Sequence, residues 1–191
     1  MPAGPTRDHI IEAADTLFYE KGYEHTAFSD IAQAVGISRG NFYYHFRTKD
    51  AILAAVIDRR LAQTAAMLAR WETEAPDPAG RIRRFIDILL ANRAAIMRHG
   101  CPVGTLCQEL AKLDHAARPD AARLFTLFRN WLARQFAKAG RAGEADALAL
   151  HLLARSQGVA TLANAFHDEA FIQAEAALMK AWLTREIPPC S

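Results

Sequence analysis

Long apolar runs are missing from this 191-residue sequence: no stretch approaches the roughly 20 uncharged apolar residues that a membrane-spanning helix needs. The first residues, MPAGPTRDHIIEAA, also lack the continuous apolar core of a secretory signal peptide. Together, these two absences predict a soluble, cytoplasmic protein that has no membrane partner.

Cysteine is scarce as well, since the sequence contains only Cys101, Cys107 and Cys190. An odd number of cysteines with no evident pairing scheme predicts a reducing compartment and no structural disulfide. The sequence also lacks a Gly-rich phosphate-binding loop, a nucleophile elbow and a pair of zinc-binding histidines on one helical turn. We therefore expect no enzymatic activity, no metal and no cofactor.

Runs of β-branched residues are missing too, whereas apolar residues make up 51% of the chain and recur at helical spacing. This pattern predicts an all-α fold of about nine helices. A long fourth helix should start at Thr48 and end before the Pro-rich stretch at residues 75–78. Further helices are expected at about residues 80–99, after Pro102, at residues 119–139, and in two long segments that meet near residue 167.

Two short helices joined by a tight turn are predicted between residues 26 and 46. Thr26 is expected to cap the first of them, and Gly36 should end it. Ser38 then caps the segment from Arg39 to His45. This layout is typical of a helix-turn-helix, in which the second short helix enters the major groove of DNA.

The same region carries a local excess of positive charge, although the net charge of the chain is only +2. Apart from tyrosines, its ionisable residues from Gly36 onwards are Arg39, His45, Arg47 and Lys49, and no carboxylate occurs before Asp50. A cationic stripe of this kind favours a polyanionic partner.

The segment from Thr26 to Lys49, TAFSDIAQAVGISRGNFYYHFRTK, resembles the DNA-binding signature of the TetR/AcrR family of bacterial regulators. The matching residues are dense and ordered, and they include the FYYHF core at residues 42–46. The resemblance covers about the first third of the chain. It implies an N-terminal three-helix DNA-binding domain, joined by the long fourth helix to a C-terminal helical domain for effector binding and dimerisation.

Groove chemistry, together with this resemblance, predicts which residues contact DNA. Arg39 should reach guanine acceptors, and Gly40 should let the backbone approach the groove closely. Tyr43 should contact a base, often a thymine methyl, or a phosphate. Asn41 could contact either a base or a phosphate. The residues that resemble the family's phosphate-binding positions are Thr26, Ser38, Tyr44, His45 and Lys49.

One short recognition helix buries too little DNA for tight specific binding, so we expect a homodimer on a pseudo-palindromic operator. The last two helices carry apolar stripes that are candidates for the dimer interface, and Gly158, Ala160 and Ala163 would allow close approach. The candidate interface residues are Leu148, Leu152, Val159, Leu162, Phe166, Phe171, Leu178, Met179 and Trp182. The alternative is that these stripes form an ordinary intramolecular core.

If the chain works as the resemblance implies, its middle helices enclose a pocket for a small-molecule effector. Aromatic walls with a few polar groups are typical of such pockets, although the same stripes could simply be core. The candidate pocket residues are Phe85, Leu89, Asn92, Ile96, Cys101, Cys107, Phe128, Trp131 and Gln135.

The segment from His99 to Leu110 is unusual, because Cys101 is followed at once by a predicted helix N-terminus, where the helix dipole would lower a thiol pKa. Sensing of oxidants or electrophiles is therefore one hypothesis, and an inert cysteine in a tight turn is the alternative. A metal site built from His99, Cys101, Cys107 and His115 is disfavoured, since its spacing matches no standard zinc pattern.

Taken together, the sequence predicts a ligand-releasable repressor that acts as a homodimer. Its DNA-binding domain is placed at residues 5–65, with the helix-turn-helix at about 27–46, and its ligand-binding and dimerisation domain at 66–187. The rival hypothesis is a helical ligand-binding or thiol-reactive sensor that has lost its DNA role. That loss should have erased polar residues such as Arg39 and Lys49, yet both are present.

Overall fold

The structure is a computed structural model that describes residues 5–188, except the side chains of Pro5 and Arg39. The described part of the chain contains no strand and is all-helical, as the sequence predicts. Its helices are α1 (Pro5–Lys21), α2 (Phe28–Val35), α3 (Arg39–His45), α4 (Lys49–Glu74), α5 (Pro78–Ala91), α6 (Arg93–His99), α7 (Pro102–Lys112), α8 (Arg118–Lys138), α9 (Ala145–Phe166) and α10 (Glu169–Glu186).

The helix expected over residues 80–99 is interrupted at Asn92, which separates α5 from α6. If α5 and α6 are counted as one interrupted helix, the described residues contain nine α-helices, as expected. A short 3₁₀ turn at Ala142–Glu144 precedes α9. Among residues 5–188, no helix is long and apolar enough to cross a bilayer.

The chain forms two compact units. The first unit consists of Met1–Gln63, as far as it is described, together with Val103–Leu124, and the second consists of Thr64–Pro102 and the chain from Phe125 onwards. The division of the sequence at residues 65 and 66 stays a prediction about function. Periodicity gave no sign that residues 103–124 group with the N-terminal helices.

The core of the first unit joins α1, α2, α3, α4 and α7. Ile10, Ile31, Phe42 and Ile52 are essentially inaccessible to solvent, because each lies on the inward face of its helix. An ion pair adds a polar link between α1 and α4, in which the Nε of the largely buried Arg60 donates to Asp15 Oδ1 over 2.6 Å. The result is a fixed base for the two short helices, α2 and α3.

Trp131 of α8 is one of the largest fully buried side chains, and it lies in the core of the second unit. Around this core, the helix ends follow capping rules. Asp77 accepts a hydrogen bond of 2.8 Å from the Gly80 amide ahead of α5, and Asp168 accepts one of 3.1 Å from the Phe171 amide ahead of α10.

Candidate nucleic-acid interface

The α2–turn–α3 segment has helix-turn-helix geometry. Gly36 adopts a left-handed φ of 71° and ends α2, with its amide donating to the carbonyls of Ala32 and Gln33 at 3.1 Å each. Ser38 caps α3, since its Oγ accepts a hydrogen bond of 3.4 Å from the Asn41 amide. The turn and the Ser38 cap therefore match the prediction made from the sequence.

The predicted cap of α2 is wrong. Ala27 occupies the N-cap position in an extended conformation, with φ −80° and ψ 155°. Its amide donates to Asp30 Oδ2 over 3.1 Å, so a carboxylate in the first turn satisfies the backbone instead of a capping hydroxyl. Thr26 precedes the cap by one residue.

Helix α3 has one buried and one exposed face. Phe42 is 1% exposed and Phe46 is 4% exposed, whereas the neighbouring Tyr43 and Tyr44 are 53% and 84% exposed. The Phe28 ring lies edge-on to Phe42 at 4.5 Å and stacked on Tyr43 at 5.2 Å. The Tyr43 ring is thus fixed from one side while half of its surface faces solvent.

Several other residues of α3 and its cap are exposed or half-buried beside these two tyrosines in the sequence. Gly40 and Asn41 are exposed on the first turns of α3, and Ser38 is exposed at its cap. The half-buried His45 ring lies edge-on to the Tyr44 ring at 5.2 Å. The predicted base contact of Arg39 lies outside the described side chains and stays a prediction.

The structure corrects the expected role of Thr26. Its side chain is fully buried. Its hydroxyl donates to the Gly22 carbonyl over 2.7 Å and also lies 3.3 Å from the Leu17 carbonyl, within hydrogen-bond distance. A buried hydroxyl that binds the C-terminal end of α1 does not face a phosphate. Its burial follows from the packing of α1 on α2, which the local sequence pattern does not reveal.

The expected role of Lys49 is corrected for a similar reason. Its Nζ donates to the carbonyls of Tyr23, Glu24 and Thr26 at 2.9, 3.3 and 3.2 Å. The same ammonium lies 4.2 Å from the centroid of the Tyr23 ring. Three carbonyls match the three hydrogens of an ammonium group, so Lys49 holds the turn between α1 and α2 instead of a DNA phosphate.

Arg47 and Thr48 are phosphate-binding candidates that the sequence-based site omitted. Both are exposed between α3 and α4. Thr48 Oγ1 caps α4 by accepting a hydrogen bond of 3.1 Å from the Ala51 amide. Arg47 belongs to the cationic stripe, so the signal that could have identified it was present, and the helix N-terminus beside it also favours an anion.

Sequence reasoning also missed Glu109 of α7. Its carboxylate accepts hydrogen bonds of 2.8 Å from the Tyr23 amide and 2.9 Å from the Glu24 amide. The Tyr23 hydroxyl donates to Asp50 at the start of α4. Two causes raise the pKa of Tyr23 well above its usual range: burial is the larger, and this hydrogen bond to a carboxylate is the second. The hydroxyl therefore stays protonated. No local pattern links residues 86 positions apart.

The predicted dimer residues fall into three groups. Leu152, Val159 and Met179 are at most 4% exposed and pack in the core of their own chain, as do Ala160 and Ala163, so the structure corrects their assignment to an interface. A second group is half-buried against that core: Leu148, Phe171 and Trp182. The third group is exposed and available to a partner: Leu162, Phe166 and Leu178.

The predicted effector residues are only partly brought together. Six of them lie in the core of the second unit: Phe85, Leu89, Ile96, Phe128, Trp131 and Gln135. Asn92 is exposed and its Nδ2 donates to the Ile88 carbonyl over 3.0 Å, which places it at the helix break instead. Cys107 belongs to the first unit, so it is not grouped with the other residues.

Cys101 and Cys107 are half-buried thiols, and their sensitivity to oxidants stays a prediction. Cys190 lies outside the described residues. Within residues 5–188, no cluster of three His, Cys, Asp or Glu side chains could hold a metal ion.

Two family models match the chain. Residues 10–56 match the bacterial regulatory proteins of the tetR family, and residues 78–177, more than half of the chain, match the C-terminal domain of LmrA/YxaF-like transcriptional regulators. The chain belongs to the TetR family. This confirms the resemblance seen at residues 26–49. TetR-family regulators bind operator DNA as homodimers and respond to small-molecule effectors.

Individual relatives agree with this assignment. The regulator TtgR of Pseudomonas putida is 32% identical over 156 residues, which span 76% of this chain and 72% of TtgR. The repressor DhaR of a Mycobacterium strain is 28% identical over 125 residues, or 65% of this chain and 62% of DhaR. The fold resembles the crystal structure of a TetR regulator from Legionella pneumophila, with a TM-score of 0.83, 24% identity and coverage of 95% and 99% of the two chains.

Proposed function

We propose that this TetR-family regulator is a cytoplasmic, ligand-releasable repressor that binds a pseudo-palindromic operator as a homodimer and has no catalytic activity. One observation carries the proposal. The described residues include six large exposed apolar side chains, and all of them lie on α3 or on the last two helices: Tyr43, Tyr44, Leu150, Leu162, Phe166 and Leu178. Exposed apolar groups that cluster in this way indicate binding surfaces.

The α3 cluster fits the major groove of DNA. Tyr43 is held by Phe28 in an orientation that leaves half of it exposed, so little side-chain entropy is lost when it meets a base. Gly40 permits close approach of the backbone to DNA, because it has no side chain and a Cβ built there meets no described atom within 4 Å. Ser38, Tyr44 and His45 remain our candidates for phosphate contacts, with Arg39 and Asn41 beside Tyr43 as base readers.

The α9 and α10 cluster fits a second copy of the chain. Along α9 the exposed Leu150 and Leu162 are accompanied by the exposed small residues Ala154 and Gly158, which permit close helix packing. Leu178 is 53% exposed on α10. Because these side chains are mostly aliphatic, an apolar partner covers them better than nucleic acid does.

The effector site is proposed around Trp131 in the second unit. Its Nε1 is buried and has no hydrogen-bond partner among the described residues, and such a donor destabilises a fold by about 1–3 kcal/mol. Trp71 lies 5.7 Å from the Trp131 ring, and the Phe85 and Phe128 rings form another edge-on pair. This favours an aromatic effector whose hydrogen-bond acceptor faces the indole N–H.

Repression is supported by the relative DhaR, whose name describes a transcriptional repressor. A protein that covers its operator excludes other DNA-binding proteins from it, and effector binding then releases the site by shifting the population of states. The rival function, a sensor with no DNA role, does not explain why Tyr43 and Tyr44 stay exposed beside the buried Phe42.

The proposal is tested by selection of genomic fragments. Purified wild-type protein is mixed with sheared DNA of the source genome, and the retained fragments are sequenced and footprinted. We expect a two-fold-symmetric footprint whose affinity falls steeply with salt, because phosphate contacts release counterions. Binding with no preferred fragment would refute the proposal and favour the sensor.

A further inference from the structure

The turn between α1 and α2, residues 22–26, is held by a carboxylate from α7. Glu109 accepts the Tyr23 amide at 2.8 Å through one oxygen and the Glu24 amide at 2.9 Å through the other. Both carboxylate oxygens are therefore used on adjacent backbone N–H groups. Hydrogen bonds to a charged acceptor are about twice as strong as those between neutral groups.

Lys49 of α4 binds the backbone carbonyl groups of the same turn. Its ammonium donates to the carbonyls of Tyr23, Glu24 and Thr26. Two amides of the turn thus bind a carboxylate on α7, and three of its carbonyls bind a cation on α4. We call Glu109 and Lys49, with the turn between them, the turn clamp.

The Tyr23 side chain makes further contacts, one with α4 and one with the residues that follow α7. Its hydroxyl donates to Asp50, and its ring lies edge-on to His115, which follows α7, at 5.0 Å. His115 Nε2 is 3.6 Å from the same Asp50 carboxylate. The position of Tyr23 is consequently defined by Asp50, which follows Lys49 directly, and by His115, which lies just beyond the end of α7.

Gly22 shows how close this approach is. Its φ is +90°, and a Cβ built there would lie 2.9 Å from Glu109 Oε1, which real Cβ atoms essentially never do. The Glu109 carboxylate thus occupies space that a side chain at residue 22 would need, and a Cβ there would force the end of the Glu109 side chain to shift.

We propose that Glu109 is a positioning residue for DNA recognition: it fixes the turn from which α2 and α3 extend, and so helps to set the position of the reading helix. The inference rests on the proposed DNA-reading role of α3.

The test compares Glu109→Ala and Glu109→Gln with the matched control Gln108→Ala, an exposed neighbour on α7. Alanine favours the helix, so α7 should remain intact. The probe is a genomic fragment selected by the wild-type protein, alongside an unselected fragment of equal length. We expect Glu109→Ala to lower affinity for the selected fragment about tenfold, about 1.4 kcal/mol, and affinity for the unselected one less than about twofold.

Glu109→Gln should lose less, because its amide oxygen still accepts one N–H group. Gln108→Ala should behave as wild type. Wild-type affinity in Glu109→Ala would overturn the inference. Equal losses on both fragments, in proportion to the unfolded fraction measured by circular dichroism, would also overturn it, since they indicate a purely structural role.

Hydrogen–deuterium exchange without DNA gives an independent result. Glu109→Ala should raise exchange in peptides covering residues 22–46, while Gln108→Ala leaves them unchanged. Wild-type exchange in these peptides would overturn the inference. If the wild-type protein selects no fragment, the proposed function fails, and the exchange experiment still decides whether the clamp holds the turn.

Discussion

The exposed surface of α3 and that of the last two helices differ in their chemistry. On α3 the exposed apolar residues are two tyrosines, which carry hydroxyl groups, and their neighbours Ser38 and Asn41 are polar. On α9 and α10 they are leucines and a phenylalanine. Similar exposure therefore indicates two partners, because hydroxyl-bearing aromatics suit a polar groove and aliphatic groups suit another apolar surface.

The largest effect is expected from a substitution that disrupts the exposed surface of α9. Gly158→Arg places a long cation on that face, where the free chain offers open space. The monomer should fold, but the dimer should not form, and loss of bivalent binding should weaken operator affinity about a thousandfold. Mass measured by light scattering and affinity by fluorescence polarisation check both effects.

The matched control is Gly143→Arg, at a glycine on the 3₁₀ turn where a built Cβ also meets no atom of the described residues within 4 Å. It should keep the dimer and the operator affinity of the wild type. A dimeric Gly158→Arg variant would show that this part of α9 is not the interface.

The next effect concerns the α3 surface. Tyr43→Ala removes the ring that Phe28 holds towards solvent. Loss of the ring should lower operator affinity about a hundredfold, near 2.7 kcal/mol, with dimer mass and helical content unchanged. Gel shift with the selected fragment measures the loss. An unaffected variant would remove Tyr43 from the reading surface and weaken the contrast with α9.

A smaller effect is expected from Gly40→Ala, which adds one methyl group where the free protein has room for it. Thermal stability should stay the same or rise slightly, since alanine favours a helix. Operator affinity should fall about tenfold, because the methyl group separates α3 from the bases. Gly143→Ala serves as the control, and equal behaviour of both variants would argue against close approach at Gly40.

The two surfaces also differ in how far the sequence predicts them. The helix-turn-helix is local, so the Gly36 turn, the Ser38 cap and the alternation of Phe42 and Tyr43 identified it from adjacent residues, although the cap of α2 was assigned one residue too early. The contacts of Glu109 and Lys49 with the turn depend on tertiary packing, which no local pattern reveals. On α9 the apolar stripe was visible, but Leu152 and Leu162 could not be separated, because amphipathicity does not say which apolar face meets another chain.

The smallest expected effect on DNA binding tests the corrected role of Thr26. Thr26→Val keeps the shape of the side chain but removes the hydroxyl that donates to the Gly22 and Leu17 carbonyls. A partly buried carbonyl left unpaired should lower the free energy of unfolding by about 1–2 kcal/mol, measured by urea denaturation. Below the melting transition, operator affinity should change less than about twofold, because the side chain is fully buried and does not face DNA. A loss of affinity near tenfold with unchanged stability would instead mean that the DNA complex exposes Thr26 to a phosphate, as the sequence alone predicts.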